Sequence, residues 1–339
     1  MEALAAIGDW ISERESLLSG AAAIIVLLGV LASAFGMLYR HLSKLRNADT
    51  ARADSGGGSK ITLQDLTAPA PYPIHFAESD GLRIAYAVQG DGPPDILVTP
   101  GIITHLNIMS HMPPFRDTVQ AIAGFGRVVT YDKRGQGLSD PAVRPPTMEE
   151  RVHDIEAVMD AAGMDEVVLY GVSEGGPMCL QFAHDHPERV KGLVLLGTTA
   201  CWEQSEDFPM GIEGRALDSL GRTWGTGVLR DMFFPGITRE QMDDKTYQAF
   251  ENLCATRQSI RQLVEYMKQT DVRPLLPHIH CPALVIHFGG DLAVPVRLGR
   301  AVAEGLPNAE FLEVSGIDHA DLSQSAEGIA RIRQFVASL

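Results

Sequence analysis

The chain has 339 residues, of which 45% are hydrophobic and 21% charged, so it can bury a sizeable core, and this composition argues against global disorder. Its formal net charge is −15, and no long run of lysine or arginine offsets that charge, which argues against nucleic acid as a partner. The four cysteines, Cys179, Cys201, Cys254 and Cys281, form no C-x-x-C pair and fit no usual zinc spacing, so we expect reduced thiols.

Residues 17–39 (LLSGAAAIIVLLGVLASAFGMLY) form an apolar segment without a charged side chain. About 20 such residues span the hydrocarbon layer as a helix, because a helix satisfies its own backbone groups there. We therefore predict a transmembrane helix over 17–39, within an N-terminal membrane anchor over 1–46. The alternatives are a buried helix of a soluble domain and a signal peptide cleaved near Ala32-Ser33-Ala34. The acidic start of the chain argues against the signal peptide, which has a basic start.

Basic residues flank this segment unequally, with Arg14 before it and Arg40, Lys44, Arg46 and Arg52 after it. Positive charge stays on the cytoplasmic side, so the sequence predicts a single-pass protein of the inner membrane with its main domain in the cytoplasm. Small residues four apart within the segment, such as Gly29 and Ser33, are typical of paired membrane helices and are compatible with a homodimer through this helix. The alternative is that they only reflect a helix rich in alanine and glycine.

Residues 47–71 are predicted to be a linker between the anchor and the main domain. The segment Ser55–Ser59 (SGGGS) is flexible, and the proline-rich run that begins at Ala68 stiffens the end of the linker. From Tyr72 the pattern becomes regular, and Tyr72–Glu78 and Leu82–Gln89 alternate as the strands of a hairpin do. The main domain is therefore expected over 72–339.

Short apolar runs alternate with helical segments over the rest of this domain. The runs predicted as buried strands are Ile96–Thr99, Arg127–Tyr131, Glu166–Val172, Gly192–Leu196, Ala283–Phe288 and Glu310–Val314. The predicted helices are about 113–124, 148–162, 175–187, 297–306 and 324–338. This alternation indicates an α/β fold with a mostly parallel sheet covered by helices on both faces. The strandless stretch at about 201–277 is predicted to be an inserted helical cap.

The run from Glu166 to Leu180 joins a predicted strand to a predicted helix through the motif Gly171-x-Ser173-x-Gly175. This context is typical of a nucleophile elbow, a sharp turn that exposes the serine hydroxyl above the sheet. Glycines at both flanking positions keep Cβ atoms out of the crowded turn. An ordinary glycine-rich turn is the alternative, and the motif alone does not separate the two.

A serine hydroxyl is a weak nucleophile, so this hypothesis needs a base and an acid elsewhere in the chain. Asp291 and His319 each come just after a predicted strand, in the chain order serine, acid, histidine. The carboxyl ends of parallel strands share one edge of the sheet, which makes Ser173, Asp291 and His319 a candidate catalytic triad. The alternative is that Asp291 and His319 are solvated loop residues.

Acyl transfer also needs backbone N–H groups that stabilise the oxyanion. The residue after the nucleophile, Glu174, is expected to supply one of them. The loop after the strand at Ile96 is expected to supply the other, from Ile102. This chemistry requires neither a metal nor another cofactor, and none is expected.

With these motifs placed, the chain from Tyr72 to its end resembles the α/β-hydrolase superfamily. Five ordered segments carry the resemblance: VTPGI (98–102), YDKRGQGLSDP (131–141), GVSEGG (171–176), CPALVIHFGGDLAVP (281–295) and SGIDH (315–319). They look most similar to hydrolase domains found beside bacterial adenylate cyclase and LuxR-type regulatory domains. The resemblance implies the α/β-hydrolase fold and Ser-His-Asp hydrolysis. Two departures are Pro100, where many relatives have histidine, and the carboxylate of Glu174.

These features predict a membrane-anchored serine hydrolase that cleaves an ester or related acyl compound, its small-molecule substrate, through an acyl-enzyme. Aromatic and methionine side chains are concentrated in 201–277, which indicates an apolar pocket. A carbon–carbon bond hydrolase on the same triad and a non-catalytic small-molecule sensor are the alternatives, because a fold alone does not determine the reaction.

Overall fold

The structure, a computed structural model, describes residues 60–339. Its strands are β1 (His75–Ser79), β2 (Leu82–Gln89), β3 (Asp95–Thr99), β4 (Arg127–Tyr131), β5 (Val167–Val172), β6 (Val190–Leu196), β7 (Ala283–Phe288) and β8 (Ala309–Val314). The helices as far as β6 are α1 (Leu63–Thr67), α2 (Leu106–Met109), α3 (Pro113–Ala123), α4 (Met148–Ala161) and α5 (Gly175–Asp185). The later helices are α6 (Gly214–Thr223), α7 (Arg230–Phe233), α8 (Asp244–Cys254), α9 (Arg257–Gln269), α10 (Val296–Gly305) and α11 (Ala326–Ala337).

The strands form an eight-stranded sheet in the order β1-β2-β4-β3-β5-β6-β7-β8. Strand β2 is antiparallel to β1 and β4, and the remaining neighbours within the described residues run parallel. The predicted mostly parallel sheet is therefore confirmed. Val172 pairs with Leu196, Leu196 with Ile286, and Phe288 with Val314, so the carboxyl ends of β5 to β8 share one edge.

Both faces of the sheet are buried. Neighbouring residues along a strand point to opposite faces, so each strand contributes to two apolar clusters. On β5, Leu169 packs in one apolar cluster with Phe182 of α5. Its neighbour Val168 packs in another cluster with Phe335 of α11. Helices therefore cover both faces, and the central strands read as continuous apolar runs for this reason.

Four helices, α6 to α9, lie between β6 and β7, in the stretch predicted as a cap. Their buried aromatic side chains, including Trp224, Tyr247 and Phe250, share a third apolar cluster with Ile102 and Ile103 from the loop after β3. This cluster fastens the inserted helices over the carboxyl edge of the sheet.

The last part of the predicted linker 47–71 is a packed segment. Helix α1 begins with a capping box, in which Thr62 and Asp65 each bond the other's backbone N–H. Leu66 is buried, and the Ile61 N–H donates to the Gln241 carbonyl of the inserted region at 2.7 Å. The compact unit accordingly begins at residue 60 rather than 72. The first strand begins at His75 instead of Tyr72, because Pro73 has no N–H to contribute to a ladder.

No helix within 60–339 is long and apolar enough to cross a membrane. The predicted anchor 1–46, its helix 17–39 and the proposed pairing surface at Gly29 and Ser33 lie outside the described residues.

Candidate active site

The elbow between β5 and α5 holds Ser173 in a backbone conformation that side chains rarely adopt, with φ at +50°. The Thr198 hydroxyl donates to the Ser173 carbonyl at 2.5 Å and fixes the turn. Glycine is required two residues later, because a Cβ at Gly175 would collide with the Thr99 carbonyl oxygen. A left-handed residue other than glycine costs roughly 1–2 kcal/mol, and such strain is concentrated at functional sites.

Asp291 and His319 meet at the edge where β7 and β8 end. His319 Nδ1 and Asp291 Oδ2 are 2.8 Å apart, and both residues are buried. An ionised carboxylate only accepts, so the His319 Nδ1–H donates to it, and Nε2 is the ring nitrogen left free of this bond.

The Asp291 carboxylate is held from two further directions. Its Oδ1 accepts hydrogen bonds from the Ala293 N–H at 2.8 Å and the Val294 N–H at 3.0 Å, and His287 Nε2 lies 3.4 Å from its Oδ2. Burial raises the pKa of Asp291, but the electrostatic attraction of His319 and the hydrogen bonds that the carboxylate accepts outweigh burial and bring the pKa to about 2. The group is therefore a carboxylate at neutral pH, as an acid that orients a histidine must be.

Ser173 and His319 line the same cavity beneath the inserted helices, a narrow space of about 40 Å³. Within the described residues, Ser173 Oγ and the His319 ring are not hydrogen-bonded to each other, a contact that often tightens only when substrate binds. The other lining residues are mostly apolar or aromatic: Gly101, Ile102, Ile103, Phe115, Val172, Trp224, Phe233, Phe234, Tyr247, Phe250 and Ala320.

The two predicted oxyanion donors, Ile102 and Glu174, belong to segments next to Ser173. The loop after β3 approaches closely, since a Cβ placed on Gly101 would stand 3.3 Å from the Ser173 Cβ, and Ile102 lines the cavity. Glu174 follows Ser173 as the N-cap of α5, where a helix favours negative charge. Among residues 60–339, neither of their N–H groups donates to a backbone carbonyl outside the helices and strands. Their role as donors stays a prediction.

Sequence reasoning missed three side chains beside this site. Lys133 and Arg151 bind the Glu174 carboxylate, which is buried and paired. His287 stands behind Asp291 inside the fully buried strand β7. A histidine within an apolar strand is a signal that the sequence contains, but Lys133 and Arg151 reach Glu174 from distant segments and leave no local pattern.

A family model described as alpha/beta hydrolase fold matches residues 96–326, more than half of the chain. The chain belongs to the alpha/beta hydrolase family. This alpha/beta hydrolase is 30% identical over 265 residues to the 2-hydroxy-6-oxononadienedioate/2-hydroxy-6-oxononatrienedioate hydrolase 1 of Dechloromonas aromatica, across 74% of the chain and 89% of that relative. It is 27% identical over 234 residues to a pimeloyl-[acyl-carrier protein] methyl ester esterase of Neisseria meningitidis, across 66% and 87% of the two chains.

Solved structures agree on the fold of this alpha/beta hydrolase. A bromoperoxidase from Bacillus anthracis superimposes with a TM-score of 0.66 at 20% identity, covering 79% of this chain and 100% of that one. A meta-cleavage product hydrolase from Pseudomonas fluorescens does so with a TM-score of 0.60 at 20% identity, covering 78% and 96%. The fold implied by the sequence resemblance is thereby confirmed, and hydrolysis is supported by the curated relatives. The closer likeness to cyclase- and LuxR-associated domains stays a prediction.

Proposed function

We propose that this alpha/beta hydrolase is a serine hydrolase that cleaves an ester or related acyl substrate through an acyl-enzyme. One observation carries the proposal: His319 is hydrogen-bonded to a buried carboxylate at 2.8 Å and lines a cavity with Ser173, which sits on an elbow. A hydroxyl, a base and an acid in this order are the parts that serine hydrolysis needs.

In the proposed mechanism, Ser173 Oγ attacks the substrate carbonyl carbon while His319 Nε2 takes the hydroxyl proton. Asp291 stabilises the resulting imidazolium through Nδ1, and the N–H groups of Ile102 and Glu174 stabilise the oxyanion. The tetrahedral intermediate collapses, and the leaving alcohol departs with the proton from His319. A water molecule, deprotonated by His319, then attacks the acyl-enzyme, and the acid product and free Ser173 hydroxyl result.

The lining of the cavity supports a neutral, apolar substrate, and we propose one of small to medium size. Five of its lining residues come from the inserted helices and their connections: Trp224, Phe233, Phe234, Tyr247 and Phe250. Lysine, arginine, aspartate and glutamate are absent from the lining within the described residues. A charged or sugar-like substrate would leave its polar groups unpaired there, which costs binding energy.

A carbon–carbon bond hydrolase is the second candidate, and the 30% identity to the Dechloromonas aromatica relative favours it. The substrate named for that relative is a dicarboxylate. A dicarboxylate has no cationic partner among the lining side chains described above, so the carbon–carbon substrate that fits is a neutral diketone. A neutral β-diketone and a p-nitrophenyl ester of equal length, assayed side by side, separate the two reactions.

A non-catalytic sensor, which kinship with cyclase-associated domains would suggest, is disfavoured by the same geometry. A binding pocket does not require a histidine whose tautomer is fixed by a buried carboxylate. Detectable turnover that depends on Ser173 would eliminate the sensor.

We also propose, on the sequence pattern alone, that residues 17–39 anchor the enzyme in the inner membrane with the hydrolase domain in the cytoplasm. Apolar burial is not screened by salt, so the intact protein should stay in the membrane fraction after a high-salt wash. A C-terminal alkaline phosphatase fusion should be inactive. An active fusion, or a mature N-terminus near Phe35, would overturn this topology.

The proposed reaction is tested by hydrolysis of short p-nitrophenyl esters. Ser173→Ala should reduce kcat by several orders of magnitude, because the members of a triad act as a unit. Turnover by purified Ser173→Ala at the wild-type rate would refute the mechanism.

A further inference from the structure

Three charged side chains are buried together behind the nucleophile. Lys133, Arg151 and Glu174 have exposed side-chain fractions of 3%, 4% and 1%. Lys133 Nζ binds Glu174 Oε2, and Arg151 Nη1 lies 3.1 Å from Glu174 Oε1. Burying three charges costs several kcal/mol per ion, and apolar residues of similar volume often stabilise a fold as well or better. A role beyond stability is therefore expected for this cluster, which we call the Lys133 cluster.

Lys133 also binds the peptide that carries the first oxyanion donor. Its Nζ donates to the carbonyl oxygen of Gly101. In a planar trans peptide, the carbonyl of Gly101 and the N–H of Ile102 point in opposite directions. The ammonium therefore fixes the orientation of that peptide from its rear side and leaves the Ile102 N–H on the other side. The next carbonyl, of Ile102, is held by Gln136 Nε2 at 3.2 Å, from the same loop as Lys133.

The second donor is tied to the same ammonium. Glu174, whose backbone N–H follows the nucleophile, is held at both carboxylate oxygens by Lys133 and Arg151. Arg151 is in turn fixed, because its guanidinium lies 4.1 Å from the ring centroid of Tyr266 on α9. The cluster contains two cations and one anion. Its net positive charge therefore favours a negatively charged substrate oxygen bound at the nearby peptide N–H groups.

We propose that Lys133 is a positioning residue of the oxyanion site, linking the peptides of Gly101-Ile102 and Glu174 through one ammonium group. This role rests on the proposed serine hydrolase function. Arg151 keeps the Glu174 carboxylate paired, so that this anion does not oppose the charge that develops on the substrate.

Titration of Lys133 gives the role an independent signature. Burial lowers the pKa of Lys133 to about 8. The positive charge of Arg151 on α4 lowers this pKa further, whereas the carboxylate of Glu174 at the elbow raises it. The ring of Tyr266 on α9 contacts the Arg151 guanidinium on the side of the cluster that α9 covers. The protonated lysine is the form that holds Gly101, so kcat should fall as the pH rises through about 8, and replacing Lys133 should abolish this decline.

The experiment compares wild type, Lys133→Met and the control Arg134→Lys in the intact protein. Arg134 is the neighbouring buried cation; it binds Asp154 and touches neither Gly101 nor Glu174. Two ligands are used, an alkylboronic acid, which forms a tetrahedral anion on the serine, and the alcohol of the same chain length, which does not.

Lys133→Met should lower kcat about 100-fold, which is comparable to the loss of one oxyanion donor, and should weaken the binding of the boronic acid by a similar factor. KM and the inhibition constant of the alcohol should stay within about two-fold of wild type. Arg134→Lys should lower Tm while leaving kcat and the boronic acid affinity near wild type. Because loss of Lys133 changes the charge balance of the cluster, Lys133→Met/Arg151→Met/Glu174→Met, which removes all three buried charges, is tested as well. It should be at least as stable as Lys133→Met without recovering kcat.

Wild-type kcat and boronic acid affinity in either Lys133 variant would overturn the inference, and so would equal weakening of boronic acid and alcohol. In those cases wild-type turnover would still stand, and the proposed function with it. If wild type neither hydrolyses the esters nor binds the boronic acid, the proposed function fails and this inference fails with it.

Discussion

The acyl-chain preference should follow from the lining of the cavity. Burying one methylene contributes about 0.8 kcal/mol, which is about four-fold in an equilibrium constant. The step from a p-nitrophenyl acetate to a butyrate adds two methylenes, so kcat/KM should rise by up to about 15-fold if both are buried in the transition state. Beyond the length that the cavity accommodates, kcat/KM should level off or fall.

Removal of the Phe233 side chain should increase the acyl-chain length that the cavity accommodates. Its ring centroid lies 6.0 Å from that of His319 and 6.4 Å from that of Phe234. Phe233→Ala removes a wall close to the reacting atoms, so the optimum should shift by a few carbons towards longer chains. Acetate should lose rate in this variant, because a short chain then leaves part of the cavity empty.

The assay is the initial rate of hydrolysis of p-nitrophenyl acetate, butyrate, hexanoate and octanoate in detergent. Phe76→Ala is the matched control, since Phe76 is exposed on β1 and does not line the cavity; its chain-length profile should equal that of wild type. The reasoning is refuted if kcat/KM is highest for acetate and falls with each added carbon, or if Phe233→Ala reproduces the wild-type profile.

Three further substitutions test the site and its supports. Asp291→Asn should lower kcat about 10⁴-fold through the wrong histidine tautomer. Because the pKa of Asp291 is lowered from 3.8 to about 2, its charge stabilises the fold above about pH 4 by on the order of 2 kcal/mol, and this contribution is lost as pH falls through 2. The difference in unfolding free energy between wild type and Asp291→Asn, measured in urea, should therefore shrink below about pH 4; a pH-independent difference would contradict the assigned pKa. Gly175→Ala should lower Tm and kcat together, because its Cβ would collide with the Thr99 carbonyl, and a Tm equal to that of wild type would show that the elbow tolerates a side chain. Thr147→Ala removes the capping box at α4 and should cost about 1 kcal/mol in urea unfolding with kcat unchanged, so a stability loss below a few tenths of a kcal/mol would refute the role of this cap.

The parallel strands could be predicted from the sequence almost to the residue. The bounds of β4 and β7 agree with the apolar runs Arg127–Tyr131 and Ala283–Phe288. A strand buried on both faces is apolar throughout, and this leaves a signal that does not depend on its neighbours. Asp291 and His319 were predictable for the same reason, since they follow strands whose ends share one edge.

Other features could not be predicted, because they depend on contacts between distant segments. Helix α1 is only five residues long, and Leu66 is buried by packing rather than by any local periodicity. The Lys133 cluster joins the loop after β4, helix α4 and the elbow, which lie 18 to 41 residues apart in the chain. The sequence also does not show which cap aromatics reach the cavity: Trp224 lines it, whereas Trp202 is buried in the apolar cluster without lining it.

The most direct test of the central claim is covalent labelling of the intact protein by an alkyl fluorophosphonate, read by mass spectrometry. A fluorophosphonate modifies a serine that is activated by a base and whose oxyanion is stabilised. Wild type should gain one phosphonyl group on the peptide that contains Ser173, while Ser173→Ala should gain none and Asp291→Asn should be labelled much more slowly. Equal labelling of wild type and Ser173→Ala, or an unlabelled wild type that is folded, would contradict the assignment of Ser173 as the nucleophile.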